Sequence, residues 1–119
     1  MPDERNAEGW TLSMVLKYKA TFLAARNNLD EARELFERSI SILDKPGNPL
    51  LNLLGTTSSV QAWESLKASK HKKYAIQCKN RAQNFFSRKD ILEHYKFALD
   101  WRHYISGENK SNPQLKYQY

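Results

Sequence analysis

Two helical patterns with almost nothing between them constrain the fold of this chain more than any other feature. Over residues 10–27, and again over residues 28–44, large apolar residues recur every three or four positions, the spacing of one helix face. Asn27 and Asn28 mark the junction, and asparagine tolerates the turn conformation that ends a helix. Helices joined by so few residues must run antiparallel, so residues 10–44 predict a helical hairpin.

The rest of the chain is expected to be helical as well. Only four glycines and four prolines occur in 119 residues, too few for the frequent turns of an all-β fold. Ser58 with Gln61, and Asp90 with Glu93, have the capping-box spacing that starts helices. The last helix, which starts at Asp90, is expected to end by Ser106 and Gly107. The predicted fold class is therefore all-α, with four to five helices arranged as antiparallel hairpins.

Two helix boundaries stay open. Residues 50–57 predict one apolar helical turn that ends at Gly55, and a leucine-rich strand is the less favoured alternative. The helix that starts at Ser58 either continues through a basic run of residues or breaks near Ser69. The expected organisation is a disordered lead-in (1–9), a single helical domain (10–106) with a basic half (58–106), and a tail (107–119).

Positive charge is concentrated in the second half of the chain. Residues 1–57 carry seven Lys and Arg against eight Asp and Glu, whereas residues 58–119 carry twelve against five. Residues 67–89 contain no acidic residue. Such a window is a solvated helix face, a nucleic-acid patch or a docking surface for an acidic protein segment. Its candidate partner-binding residues are Lys70, Lys72, Lys73, Lys79, Arg81 and Arg88.

Two tryptophans are further candidates for partner binding. Trp10 and Trp101 lie near the expected helix ends among polar neighbours. Tryptophan is enriched among the residues that dominate binding at protein interfaces. Both residues are therefore predicted anchors for a partner, with packing in the core as the alternative.

No catalytic, metal or cofactor chemistry is indicated. Cys78 is the single cysteine, the three histidines form no i,i+4 ligand pair, and the glycines are isolated. Zinc sites and phosphate-binding loops need such groupings. We therefore expect no enzyme activity and no cofactor. With no signal peptide or membrane span, an intracellular protein is expected, cytoplasmic or nuclear.

One stretch has the residue pattern of a known repeat. Residues 16–46 resemble a tetratricopeptide repeat, a helical hairpin with small and large residues at set places. Ala20 and Ala32 match the small positions where the two helices cross, and Pro46 lies where the family has proline. The remaining matching positions are Leu16, Leu23, Leu29, Phe36 and Ser39.

A weaker resemblance is to the microtubule-interacting and transport domain, a three-helix bundle. Residues 29–36 resemble its second helix, and residues 79–82 resemble part of its third. Both resemblances imply a helical module that binds a peptide or helix of another protein. The function expected is a non-catalytic adaptor or complex subunit whose partner is acidic, and the alternative is nucleic-acid binding through residues 67–89.

Overall fold

The computed structural model describes residues 4–108 and Pro113, and this part of the chain contains helices and no strand. The all-α prediction is confirmed. There are six helices in the described residues, more than the four to five expected. They are α1 (Glu4–Ala25), α2 (Leu29–Leu43), α3 (Pro49–Leu66), α4 (Lys72–Phe86), α5 (Lys89–His94) and α6 (Ala98–Ser106).

The predicted hairpin is formed by α1 and α2. Asn27 adopts a left-handed conformation with φ of 65°. The amide of Asn28 donates to the carbonyl of Leu23 at 2.9 Å, and the amide of Asn27 donates to that of Ala24 at 3.0 Å. This pair of bonds satisfies carbonyls that the end of a helix leaves open. The chain therefore reverses within three residues, and α2 packs along α1.

Helix α1 begins at Glu4 and not at Trp10. The expected disordered lead-in over residues 1–9 is wrong for residues 4–9, which are helical, while residues 1–3 lie outside the described part. The expectation rested on the polar composition of this segment. Glu4 and Glu8, however, suit the positive end of a helix dipole, which favours a helical start here.

Helix α3 is continuous where a break was expected. It starts at Pro49, and the side chain of Asn48 accepts a hydrogen bond from the amide of Leu51 at 3.1 Å. Gly55 lies inside this helix, and a Cβ there would come within 3.2 Å of the Leu43 Cβ. Glycine is thus a packing residue that lets α3 approach α2. The predicted helix start at Ser58 is wrong, because Ser58 is buried in the middle of α3.

The chain does break near Ser69, which settles the second open boundary. The Ser69 hydroxyl donates to the carbonyl of Leu66 at 2.6 Å and accepts from the amide of His71 at 3.1 Å. A side chain that bonds to its own backbone in this way competes with the helix. Residues 67–71 therefore form a short connection, and α3 and α4 pack together as a second hairpin.

The last expected helix is split into α5 and α6. Asp90 does not cap a helix, since its carboxylate accepts two bonds from the Arg88 guanidinium at 3.1 and 2.7 Å. Tyr95 is extended and ends α5. Helix α6 ends as predicted at Gly107, whose φ is 87°. Most of the expected tail lies outside the described residues, but Pro113 is buried.

Small residues line the points where the helices cross. Ser13 of α1 and Ser39 of α2 are fully buried, and each hydroxyl donates to the other residue's carbonyl, at 2.7 and 2.8 Å. The Ser58 hydroxyl of α3 lies 3.3 Å from Ser39 Oγ. Larger side chains would force the three backbones apart, since protein interiors are close-packed.

Two hydrophobic clusters share one tryptophan. The first joins α1 and α2 to α3 and α4, and the second joins α3 and α4 to α5 and α6. Trp63 of α3 packs against both clusters. None of the helices in the described part of the chain combines the length and apolar character that crossing a membrane requires.

Replacing Ser39 by leucine tests the crossing point. We expect Ser39→Leu to lower the free energy of unfolding by about 1–3 kcal/mol, because a larger side chain must push α1 and α3 away. Ser41→Leu is the matched control on the same helix, since Ser41 is exposed, and a change within about 0.5 kcal/mol is expected. Urea unfolding followed by circular dichroism measures both, and equal effects would contradict the packing role.

Candidate functional site

Helix α1 has two apolar faces, and only one of them is packed. Ser13, Leu16, Lys17 and Ala20 lie against the other helices, with at most 7% of each residue exposed. Large apolar side chains on the opposite side are open to solvent. This outer face of α1 consists of Leu12 (47% exposed), Val15 (56%), Tyr18 (55%) and Phe22 (56%).

The outer face is the main exposed apolar surface of the described residues. Five of the eight large apolar side chains that are exposed there belong to α1. The other three, Leu50, Ile76 and Leu99, lie singly on α3, α4 and α6. Scattered apolar residues are normal at a protein surface, whereas a contiguous group marks an interaction site.

The geometry of the helix explains this face. Successive residues are about 100° apart around a helix axis, so Val15, Tyr18 and Phe22 project away from Leu16 and Ala20. Helices α2 and α3 both contact α1, and they cover the side that carries Ala20. The apolar spacing over residues 10–27 predicted a single helix face, but the structure separates these residues onto two sides of α1, with Leu16 buried and Val15 and Phe22 exposed.

The half of the outer face nearer the C-terminal end of α1 carries positive charge. The Lys17 ammonium lies 4.9 Å from the ring centroid of Tyr18, and the Arg26 guanidinium lies 4.5 Å from that of Phe22. Lys19 is exposed between them in sequence. Cations over aromatic faces are attracted by the ring quadrupole. Of these cations, Lys19 and Arg26 are exposed and can attract carboxylates, whereas Lys17 is buried.

Lys17 is unusual because its side chain is almost fully buried. Only 3% of the residue is exposed, and this burial lowers the pKa of its ammonium below the ordinary value for lysine. Removing a charge from water costs free energy unless a partner compensates. The nearby Tyr18 ring supplies part of that compensation.

Three of the six predicted basic residues are paired with carboxylates of the chain. Lys70 lies 3.0 Å from Asp30 of α2. Arg81 lies 2.8 Å from Asp44, and Arg88 lies 2.7 Å from Asp90. Lys70 precedes α4, Arg81 lies within it and Arg88 follows it, and α4 has 15 residues and is thus about 22 Å long.

The remaining three basic residues do not complete a common surface. Lys79 extends over the ring of Trp63, with its ammonium 4.9 Å from the centroid. Lys72 and Lys73 are exposed in the first turn of α4. The structure thus brings Lys70, Lys72 and Lys73 together at one end of α4, and it places the other three cations elsewhere.

The two predicted tryptophan anchors have different environments. Trp10 is exposed, but it lies three residues before buried Ser13 and therefore projects from the other side of α1 than the outer face. Trp101 is only 4% exposed, and its ring stacks on Phe86 with centroids 5.7 Å apart and planes 7° from parallel. The prediction of Trp101 as a partner anchor is wrong, because its ring fills the second cluster.

A cleft of about 260 Å³ lies between α2 and α4. Its lining includes Cys78, Tyr74 and the ion pair of Arg81 with Asp44. Burial raises the pKa of the Cys78 thiol and of the Tyr74 hydroxyl. Both groups are therefore held in their protonated forms, and the cleft offers no activated nucleophile.

Metal binding has no support in the described geometry. Within residues 4–108 and Pro113, no group of three or more His, Cys, Asp or Glu side chains is placed to hold a metal ion. His71 is instead held by polar neighbours, with Nε2 2.8 Å from an Asp30 carboxylate oxygen and Nδ1 3.2 Å from the Arg33 guanidinium.

Comparison with known protein families, with curated proteins and with solved structures finds no match for this chain. The resemblances to the tetratricopeptide repeat and to the microtubule-interacting and transport domain therefore stay predictions. The outer face of α1 is the feature that sequence reasoning missed. Its signal was present, since α1 carries apolar residues around most of its circumference, and a helix of that kind is covered on more than one side.

The reactivity of Cys78 tests the cleft. Because burial raises the pKa of its thiol and hides the sulfur, we expect reaction with DTNB at neutral pH to be at least about tenfold slower in the folded chain than in urea. Absorbance of the released thiolate measures both rates. Equal rates would contradict the buried, protonated thiol.

Replacing Lys17 tests the cost of its burial. We expect Lys17→Met to raise the free energy of unfolding at pH 7 by about 1 kcal/mol, because the buried charge disappears. Lys19→Met is the control, since Lys19 is exposed. Urea unfolding of both variants and of the parent chain measures the difference.

The same variant has a defined pH dependence. The pKa of Lys17 is lower in the folded chain than in the unfolded chain, so the unfolded chain binds more protons between those two values. The parent chain therefore gains stability relative to Lys17→Met as pH rises through that interval. The advantage of the variant should shrink from pH 7 to pH 10, and a constant advantage would contradict the lowered pKa.

Proposed function

We propose that this chain is a non-catalytic protein-binding module, an adaptor or complex subunit, that docks an amphipathic helix on the outer face of α1. The observation that carries the proposal is the row of half-exposed apolar side chains from Leu12 to Phe22. Helix-in-groove recognition uses anchors at this kind of three- and four-residue spacing.

A helix suits this face better than an extended strand. Every backbone amide and carbonyl inside α1 is engaged within the helix, so no free edge is offered for strand addition. The surface of α1 consists of side-chain ridges, and the ridges of one helix pack into the grooves of another. Its 22 residues correspond to a length of about 33 Å, enough for several turns of a partner helix.

The partner is expected to be acidic along the margins of its apolar stripe. Arg26 lies over the ring of Phe22, and Lys19 is exposed on the same half of α1. Complementary charges steer association and set the register of two surfaces. Carboxylates on the incoming helix would meet these cations as its apolar residues cover the rings.

The order in which the helices pack supports a tetratricopeptide-like arrangement of the hairpins. Helix α2 packs against both α1 and α3, and α1 also contacts α3. Successive hairpins in a helical repeat stack in the same order, with each unit covering a face of the next. In such an array an uncovered terminal helix face is a place where another element docks.

The basic residues favour the protein partner over nucleic acid. Lys70, Arg81 and Arg88 are each within 3.0 Å of a carboxylate of this chain. Phosphate binding needs free cations that release counterions along one surface. The outer face of α1, by contrast, combines apolar area with the exposed cations Lys19 and Arg26.

A designed peptide tests the proposal. The probe is a helical peptide with leucines at three- and four-residue spacing and glutamates on both margins, and its control has lysine in place of each glutamate. We expect the acidic peptide to bind at least about tenfold tighter, as complementary charges require. Fluorescence anisotropy of labelled peptide, at submicromolar protein, measures both dissociation constants.

Variants of the chain locate the binding site. Phe22→Glu should weaken binding of the acidic peptide by about tenfold or more, because one buried aromatic contact is lost and a repelling charge is added. Ile76→Glu is the matched control, since Ile76 is 42% exposed but lies alone on α4. Circular dichroism confirms that both variants fold.

The proposal would be contradicted if the acidic peptide did not bind, or if it bound no better than the lysine peptide. It would also be contradicted if Ile76→Glu weakened peptide binding as much as Phe22→Glu. Generic RNA or DNA that binds with strong salt dependence, and is lost on charge reversal of Lys72 and Lys73, would instead favour nucleic-acid binding.

A further inference from the structure

We infer that the helix that docks on the outer face of α1 is α1 of a second copy of this chain, in antiparallel orientation. The inference rests on the proposed function, since it uses the same face and the same chemistry of partner. The partner is thus an amphipathic helix whose acidic end meets the basic end of this face.

Helix α1 itself has the properties required of the partner. Its apolar outer face is the stripe, and its acidic residues are Glu4 and Glu8 in the first two turns. Arg5 lies between these glutamates, so the first two turns carry two acidic residues and one basic residue. The exposed cations Lys19 and Arg26, the latter just beyond the end of α1, belong to the other half. The net charge along the helix therefore changes from negative to positive, with apolar residues between.

In an antiparallel pair of α1 helices, opposite charges match when the pair is centred on Val15. Glu4 and Arg26 are each eleven positions from Val15, and Leu12 and Tyr18 are each three positions from it. A two-fold axis at Val15 therefore places the acidic end of each helix beside the basic end of the other. It also places Leu12 level with Tyr18 of the partner copy.

The parallel arrangement is disfavoured by the same residues. It would bring Glu4 and Glu8 of the two copies together at one end and the cations together at the other. Like charges in contact cost free energy, and the two helix dipoles would also be aligned side by side. A two-fold contact uses the same patch twice, as the commonest homodimers do.

The size of the contact predicts a reversible dimer. One helix face on each side buries an area at or below the low end of specific interfaces, about 1,200 Å² in total. The exposed rings of Tyr18 and Phe22 supply most of its apolar part. We therefore expect a concentration-dependent equilibrium in the micromolar range and not a permanent dimer.

Sedimentation of the chain tests the inference directly. Sedimentation velocity from about 1 μM to about 1 mM should show conversion from monomer to dimer as concentration rises. Phe22→Glu should raise the dissociation constant at least tenfold, and Val15→Ser, a milder change at the axis, should raise it by a smaller factor. Ile76→Glu, on α4, should leave it unchanged.

Charge exchange tests the antiparallel pairing. Glu4→Lys with Glu8→Lys, and separately Lys19→Glu with Arg26→Glu, should each weaken self-association at least tenfold, because like charges then face each other. A mixture of the two double variants should form a heterodimer about as tight as the parent dimer, since opposite charges are restored. A mixture that stays monomeric would overturn the antiparallel pairing.

The result separates this inference from the proposed function. A chain that stays monomeric at about 1 mM but binds the acidic peptide overturns the second copy as occupant and keeps the docking face. A monomer that binds no peptide overturns both. A dimer that Phe22→Glu leaves intact overturns the inference, because a different surface then holds the copies together.

Discussion

The close approach of α1, α2 and α3 at their buried hydroxyls is the constraint on which the structure depends. Ser13 and Ser39 bond across α1 and α2 at 2.7 and 2.8 Å, and Ser58 of α3 lies beside them. Small side chains allow the contact, and mutual hydrogen bonds satisfy the hydroxyls that the contact buries. Gly55 likewise allows α3 to approach α2 closely, because it has no side chain where α3 passes Leu43.

The contact at these buried hydroxyls determines which side of α1 is exposed to solvent. Because the serine and alanine side of α1 is turned inward, the side that carries Tyr18 and Phe22 is turned out. Two large apolar faces cannot both be buried in a hairpin that packs on one side only. The exposed face of α1 is thus a consequence of the packing that forms the core, and Arg26, over the Phe22 ring, gives it positive charge.

Part of the positive charge in the second half is paired within the chain. Lys70, Arg81 and Arg88 form ion pairs, two of them with Asp30 and Asp44 of the first half. Surface pairs of this kind add little stability each, but they reduce the free positive charge in and beside α4. A charge count along the sequence does not detect them, because the carboxylates lie far away in the chain.

Local rules determined the hairpin and the turns. Three- and four-residue spacing predicted α1 and α2, and asparagine and glycine predicted the left-handed ends at Asn27 and Gly107, since each depends on neighbouring residues alone. The tertiary structure decided that Gly55 and Ser58 lie inside a helix, and which face of α1 stays exposed. Those outcomes depend on the residues that meet across helices. A small or apolar residue can occupy either a surface or a buried position, so only its neighbours in the folded chain decide between the two.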